Sequence, residues 1–275
     1  MIENHFKTAL LLGGLTGIFL VAGYLLGSEV GLVIGLVVAV LINFGSYFFS
    51  DKIVLAMYKA KEADKKEYSK LYSMVKEIAE KAKLPMPKVF IVHSASFNAF
   101  ATGRNPNNAV VAVTTGIMEL LDHNELEGVI AHEISHIKNR DILIATIAAT
   151  VAGVISFIGM FARFGAIFGR RDNILGLLFM GIVTPIIAVI IQMAISRTRE
   201  FMADENAAKL LKDSRGLSRA LEKLHQGNKT HPLKGNEAGA SLFIVNPFSA
   251  KGIVNLFSTH PPIDKRIKRL QNMHF

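Results

Sequence analysis

The chain contains no cysteine among its 275 residues. That absence excludes disulfide bonds, thiolate zinc sites and a cysteine nucleophile, so a bound metal must be held by His, Asp or Glu side chains. Positive charge is also missing from two long apolar stretches near the N-terminus, 8–26 and 30–49, where neither Lys nor Arg occurs. The only charged residue between the two stretches is Glu29.

What the chain does contain is an unusual combination of apolar and basic residues. Hydrophobic residues make up 51%, the mean hydropathy is +0.36, the formal charge is +9 and the sequence pI is near 9.7. A basic chain that also carries long apolar runs is suited to the anionic cytoplasmic face of a lipid bilayer. Nucleic acid is not expected as a partner, because no recognition motif accompanies the charge.

The first two apolar stretches predict a transmembrane hairpin with its turn at Gly27 and Ser28, since each is close to the ~20 residues that a spanning helix needs. The alternative is that the first stretch is a cleaved signal peptide, because Lys7 precedes an apolar core. From Lys52 to Lys88 there are ten lysines and five acidic residues. The positive-inside rule therefore places the segment after the hairpin in the cytoplasm.

Two further apolar runs, 142–168 and 174–195, predict a second membrane hairpin. Arg163 lies inside the first run and Arg170, Arg171 and Asp172 lie between the two, so the sequence leaves open whether this pair spans the bilayer completely. The expected organisation is a transmembrane hairpin (1–50), a cytoplasmic part (51–141), a second membrane hairpin (142–196) and a second cytoplasmic part (197–275).

The cytoplasmic parts show helical and strand patterns. A charged helical pattern covers Asp51 to about Lys83, and Asp122 can cap a later helix that carries a row of apolar residues. Beyond Arg197 the pattern is polar and helical to about residue 225, and a basic helix starts near Ile263. Three extended segments precede the Asp122 helix: 88–93, 97–102 and 109–115. The fold class expected is a mainly α membrane protein with four membrane-associated helices and a small sheet of three or four strands.

The strongest motif is His132-Glu133-Ile134-Ser135-His136 on the helix that Asp122 caps. Two histidines four residues apart project from one helix face and can bind a single zinc ion, and Glu133 beside them can take a proton from a water whose pKa the zinc lowers to about 7. The alternative is a helix with two surface histidines. A helix that follows a small sheet is the context that zincin-like metalloproteases require, which favours zinc.

A third zinc ligand is expected because catalytic zinc usually has three protein ligands and one open position. Glu200 is the best candidate. His136 shortly precedes the third apolar run and Glu200 shortly follows the fourth, so an antiparallel hairpin returns both to the same membrane surface. Asp204, one helical turn beyond Glu200, is placed to accept a hydrogen bond from a ligating imidazole.

These motifs together resemble the HtpX membrane metalloproteases, relatives of the CAAX prenyl proteases. The resemblance is carried by His-Glu-x-x-His, by Ser-Arg-x-Arg-Glu-Phe-x-Ala-Asp at 196–204 and by Asn-Ala-Phe-Ala-Thr-Gly at 98–103, and it covers essentially the whole chain. It implies a zinc metalloendopeptidase of the cell inner membrane, linked to stress, that cuts misfolded or surplus membrane proteins. The implied ligands are His132, His136 and Glu200, with Glu133 as general base. A membrane scaffold or chaperone that keeps the fold without cutting is the rival interpretation.

Two further segments gain expected roles. Asn98, Ala99, Phe100 and Ala101 can form the exposed edge of the small sheet, to which an extended substrate adds as a strand; an ordinary core strand is the alternative. The tail motif Thr-His-Pro-Pro-Ile-Asp-Lys-Arg at 259–266 also matches the family. His260 can stabilise the oxyanion or occupy the open zinc position, and Arg266 can donate to the oxyanion; a capped surface helix is the alternative.

Overall fold

The computed structural model describes residues 2–147, 197–230 and 261–275. Helix α1 (Ile2–Met57) contains non-helical backbone at Gly27 (φ −152°, ψ 21°) and Ser28 (φ 52°, ψ −132°). The two arms fold back on each other: a Cβ added at Gly23 would lie 2.2 Å from the carbonyl oxygen of Gly31. Asn43 Nδ2 also donates to Thr16 Oγ1 across the arms, at 2.8 Å. The chain reverses at the turn that the sequence predicts.

One helix in the described part of the chain is long and apolar enough to cross a membrane. It is the second arm of α1, Gly27–Phe49, which has a mean hydropathy of 2.3, and 17% of its most apolar 18-residue stretch is buried. Leu12–Tyr24, in the first arm, is a shorter apolar helix. The four membrane-associated helices expected from the sequence are therefore supported for one helix by length and composition. Of the two later apolar runs, only 142–147 falls within the described residues, and this segment is helical.

A four-stranded sheet follows α1, in the order β1–β2–β4–β3. Strands β2 and β4 are parallel, and the two outer strands are antiparallel to their neighbours. The prediction of three or four strands is confirmed, and each of the three predicted extended segments matches a strand within two residues at either end. The strands are β1 (Lys61–Glu62), β2 (Lys88–Val92), β3 (Ala99–Gly103) and β4 (Ala109–Thr114).

The continuous charged helix expected from Asp51 to Lys83 is wrong. Helix α1 ends at Met57, β1 follows, and α2 covers only Ser69–Lys81. Lys61 and Glu62 pair their backbones with Ile91 and Phe90 of β2, and both side chains are exposed. A short solvated strand has no apolar alternation to reveal it, so only the tertiary pairing decides its conformation.

The sheet is covered on both faces. One face carries Val89, Ile91, Val111 and Val113 against the buried residues of α2 and of a later helix. The other face carries Phe100, Val110 and Ala112 against Val54 and Leu55 in the last turns of α1. The end of the apolar hairpin therefore packs directly on the sheet, which fixes the sheet relative to α1.

Helix α4 (His123–Asn139) lies after the short helix α3 (Thr115–Leu120). Asp122 accepts from the backbone N–H of Glu125, so it caps the helix as the sequence predicts, and the Glu125 side chain accepts from the backbone N–H of Asp122, which completes a capping box. The helix ends at Arg140 in a left-handed conformation (φ 59°). This turn directs the chain back past the last turn of the helix.

Three more helices pack around α4. The single polar helix expected over 197–225 is in fact two, α5 (Arg197–Leu211) and α6 (Arg215–Thr230). Asp213 accepts from the backbone N–H groups of Arg215 and Gly216 at 3.0 Å, which starts the second helix. Helix α6 approaches α4 closely, because a Cβ at Gly128 would lie 2.6 Å from the Leu217 nitrogen. The expected tail helix is α7 (Ile263–Gln271).

Candidate metal centre

Helix α4 brings the two motif histidines together. Four residues make one helical turn, so His132 and His136 project from one face, and their Nε2 atoms lie 3.2 Å apart. His132 is almost fully buried, and His136 is partly accessible. The two Nε2 atoms point to the same space beside the helix.

Glu200 of α5 completes a triangle of donors. Its Oε2 lies 3.6 Å from His132 Nε2 and its Oε1 lies 3.5 Å from His136 Nε2. One ligand atom from each residue lies within 4.8 Å of the others. Tetrahedral zinc with bonds of about 2.0–2.1 Å separates two ligand atoms by roughly 3.3 Å, so the donor set fits such an ion. The three residues expected as ligands are thus brought together by the structure.

Each imidazole is held from behind by a carboxylate. Asp204, which the sequence predicts to contact a ligating imidazole, has its Oδ1 at 2.9 Å from His132 Nδ1. Asp141 Oδ2 lies 3.4 Å from His136 Nδ1, and this contact was not predicted. Asp141 in turn lies 3.6 Å from Nε of Arg199. These contacts leave both Nε2 atoms facing the donor triangle, since a carboxylate on Nδ1 fixes the tautomer. The left-handed turn at Arg140 is the local feature that returns Asp141 to His136.

Glu133 lies on the same helix and reaches the sheet. It is 6% exposed, and its Oε2 accepts from the backbone N–H of Ala101 in β3 at 2.8 Å. Burial raises the pKa of the Glu133 carboxyl above its ordinary value, although the nearby imidazoles of His132 and His136 oppose the change. A carboxyl group with a raised pKa beside the donor triangle is suited to accept and later release a proton.

Arg266 of α7 enters the centre from the far end of the chain. Its side chain is fully buried, and it donates from Nε and Nη2 to the two oxygens of Asp204 at 2.8 and 2.7 Å. Its Nη1 lies 3.5 Å from Glu200 Oε2, and its Nη2 lies 3.4 Å from His132 Nε2. The guanidinium therefore contacts the carboxylates and imidazole that surround the donor triangle.

The ionised groups influence one another strongly. Burial opposes ionisation of Asp204, yet the Arg266 guanidinium holds the pKa of that carboxyl below its usual value. Burial also opposes protonation of His132, but hydrogen bonds to Asp204 and Glu200 raise the pKa of His132 to about 9. The neighbouring cation therefore favours the ionised form of Asp204, and the neighbouring carboxylates favour the protonated form of His132.

The charges of the centre favour a divalent cation. When both imidazoles have lost their protons to bind a metal and all four carboxylates are ionised, two guanidinium groups leave a net charge of −2 in a largely buried space. Buried charge without compensation is costly, so a dication at the donor triangle balances the centre. The groups counted are Glu133, Asp141, Glu200, Asp204, Arg199 and Arg266.

The expected substrate-binding segment forms a terminal strand of the sheet, but all five residues of β3 are buried, so the edge is not exposed as the sequence predicts. Strand β3 pairs with β4 on one side, and its Ala101 N–H points away from β4 to Glu133. Phe100 faces the other layer, where its ring stacks on Tyr58 with centroids 4.8 Å apart. Asn98 pairs with Thr114 through its backbone, and Ala99 is buried in the core. His260 lies outside the described residues.

Comparisons with known proteins identify the family of this chain. Residues 65–274 match peptidase family M48. A protease HtpX homolog of Thermodesulfovibrio yellowstonii is 52% identical over 274 residues, covering 97% of each chain. One of Desulforapulum autotrophicum is 46% identical over 277 residues, covering 98% of this chain and 90% of the other.

The crystal structure of S. mikatae Ste24p shows a related fold, with a TM-score of 0.53 at 20% identity. The match covers 98% of this chain and 65% of Ste24p, so the chain spans about two thirds of that protein's length. The family match contains every described residue of the metal centre. The chain belongs to peptidase family M48 and is similar to the HtpX proteases, the group that its motifs predicted.

Proposed function

We propose that this chain is a multi-pass membrane zinc endopeptidase that hydrolyses peptide bonds of misfolded or surplus membrane proteins at the cytoplasmic face of the inner membrane. The observation that carries the proposal is the position of Glu133. It lies beside a donor triangle that fits zinc, and it is hydrogen-bonded to the outward amide of a terminal strand. This position supports the proposal that Glu133 serves as the base between the metal and a peptide bound along β3.

The chemistry divides between the metal and the chain. Zinc held by His132, His136 and Glu200 would activate a water molecule and polarise the scissile carbonyl. Glu133 accepts a proton from the attacking water and passes it to the leaving amine, a role that its raised pKa supports. Asp204 and Asp141 keep the two imidazoles in the ligating tautomer and orientation.

Strand β3 supplies the binding surface for the substrate. An extended peptide adds to a strand through main-chain hydrogen bonds, so such a site selects unfolded segments more than particular side chains. The outward N–H of Ala101 is the donor available for this pairing, and Glu133 holds it at 2.8 Å in this structure. A substrate carbonyl that takes this N–H releases the Glu133 carboxylate for proton transfer, which links binding to activation of the base.

Two residues of the tail motif at 259–266 have further proposed roles. His260 is proposed to stabilise the oxyanion. Arg266 donates to Asp204 through two nitrogens, and this geometry supports a positioning role for its guanidinium.

The function is tested by measuring bound zinc and cleavage together. We expect about one zinc per chain in the wild type, the same content without cleavage in Glu133→Gln, and loss of both in His136→Ala. The matched control is Glu127→Gln on the same helix, where cleavage of an unfolded membrane-protein substrate should persist. An active Glu133→Gln enzyme, or a purified chain without zinc, would favour the scaffold interpretation.

The membrane orientation has its own test, which the absence of cysteine makes simple. Single cysteines introduced at Glu29 and at Lys65 are labelled with a membrane-impermeant maleimide in oriented vesicles. We expect Glu29→Cys to react from the outside and Lys65→Cys to react only from the cytoplasmic side. Labelling of both positions from one side would contradict the transmembrane hairpin.

A further inference from the structure

A cavity of about 370 Å³ lies where the apolar arm of α1 meets the sheet. Its walls come from the last turns of the span and from the strand ends nearest to them. The lining residues are Phe44, Phe48, Phe49, Asp51, Lys52, Lys88, Arg104 and Asn108. The cavity is separate from the metal centre and shares no residue with it.

The polar side of this cavity is positively charged. Three cations, Lys52, Lys88 and Arg104, line it together with one carboxylate, Asp51. Among the described residues none of the three cations forms a salt bridge. Lys52 Nζ lies 5.4 Å from the ring centroid of Phe49, and Arg104 Cζ lies 5.6 Å from that of Phe48. Cation–π contacts hold these two groups at the rim while their hydrogen-bond donors remain available.

The other side of the cavity is apolar and continuous with the span. Phe44, Phe48 and Phe49 are 57%, 41% and 46% exposed. These rings belong to the helix whose length and composition suit a membrane. A ligand that satisfies both sides must carry a negative group next to hydrocarbon.

We propose that this cavity binds an anionic phospholipid, with the headgroup phosphate between Lys52, Lys88 and Arg104. The acyl chains then lie along the ring face of α1. Arg and Lys donors suit a phosphate, and the negative surface of the cytoplasmic leaflet supplies such lipids next to a basic juxtamembrane segment. A free phosphate ion would use the cations but not the aromatic wall, which is why the lipid is the favoured ligand.

The site connects the bilayer to the strands of the protease part. Lys88 is the first residue of β2, and Arg104 directly follows β3, whose Ala101 contacts Glu133. A lipid held by both residues ties the two strands to the end of the span. The lipid would therefore fix the position of the terminal strand, and of the metal centre next to it, relative to the membrane surface.

The experiment titrates the full-length chain in neutral detergent with dioctanoyl-phosphatidylglycerol and counts bound lipid by native mass spectrometry. Each cation near a headgroup contributes about fivefold in affinity, so Lys88→Gln/Arg104→Gln should bind about 25-fold more weakly. The matched control, Lys76→Gln/Lys83→Gln, removes the same charge from exposed positions on and just after α2 and should bind like the wild type. Lys52→Gln changes a cation on a different element, α1, and should bind the lipid about fivefold more weakly. This variant replaces the double variant in the test if the double variant misfolds.

Three results would overturn the proposal. Unchanged affinity in the cavity variants would show that the cations do not bind lipid there. An equal loss in the control pair would show that only the net charge matters. Displacement of the lipid by inorganic phosphate at equal concentration would show a free-anion site. The neutral lipid dioctanoyl-phosphatidylcholine should bind weakly to every variant. Because cleavage is not measured, this test does not depend on the protease function.

Discussion

The Oδ2 atom of Asp141 lies 3.4 Å from Nδ1 of His136, and Oδ1 of Asp204 lies 2.9 Å from Nδ1 of His132. The two histidines of the donor triangle therefore each have a carboxylate next to Nδ1, and the two carboxylates come from different parts of the chain. Asp141 follows α4 and contacts Arg199 of α5. The support of His136 thus connects the two ends of the segment between α4 and α5.

Replacing Asp141 with Asn should weaken metal binding. The amide keeps the size of the side chain but removes the charge that orients His136, and losses of this kind cost about 10- to 100-fold in metal affinity. The measurement is competition for zinc with a chelator of known affinity. Glu119→Gln removes one negative charge from an exposed position and is the control. Equal affinity in wild type and Asp141→Asn would show that the contact does not support the ligand.

Replacing Arg266 with Ala should destabilise the fold. The change leaves Asp204 and Glu200 buried without their cation, and breaking a buried pair in this way costs about 3–5 kcal/mol in the free energy of unfolding. The measurement is the unfolding transition of the metal-free chain in detergent. Arg269→Ala on the same helix removes an exposed pair with Glu205 and should cost at most about 1 kcal/mol. A similar loss in both variants would contradict the role of burial.

Replacing Ala101 with Pro should abolish most cleavage while zinc remains bound. Proline lacks the N–H that Glu133 accepts, and because this N–H points away from β4 the sheet keeps its ladder. A buried substrate carbonyl that is left without its donor costs about 1–3 kcal/mol, which predicts a loss of roughly 5- to 150-fold in kcat/KM. Ala101→Gly keeps the N–H and is the control. Full activity in Ala101→Pro would exclude this amide from substrate binding.

Replacing Gly23 with Ala should separate the two arms of α1. The added Cβ would meet the backbone of Gly31, which cannot move without shifting the helix, and overpacking of this kind costs about 1–3 kcal/mol. The measurement is the thermal unfolding midpoint in detergent. Gly17→Ala, with nothing within 4 Å of its Cβ, should be neutral or stabilising by up to about 1 kcal/mol. Equal effects at both positions would contradict the close packing of the arms.

Local features of the sequence account for a large part of the fold. The helix that carries His132 and His136 follows from its apolar period and from the capping box that starts at Asp122. The break at Gly27 and Ser28 follows from the boundary between two apolar runs. These features depend on residues only a few positions apart, which is why spacing alone predicts them.

The predictions that proved wrong concern segments whose conformation depends on distant parts of the chain. Lys61 and Glu62 form a strand because β2 is there to pair with them, and nothing in their own sequence contains that information. The polar stretch beyond Arg197 divides at Asp213, whose carboxylate caps a new helix. Without that cap, a helical period on either side resembles one continuous helix.

The chemistry at the metal centre shows the same division. The sequence by itself determined that His132, Glu133 and His136 lie together, because one helical turn contains all three. The order of the apolar runs indicated that Glu200 lies near them. Only the tertiary structure decided that Asp141 supports His136 and that Arg266 reaches Asp204 across 62 residues. Those contacts form between elements that meet through packing, and the spacing of residues along a chain does not specify which elements pack together.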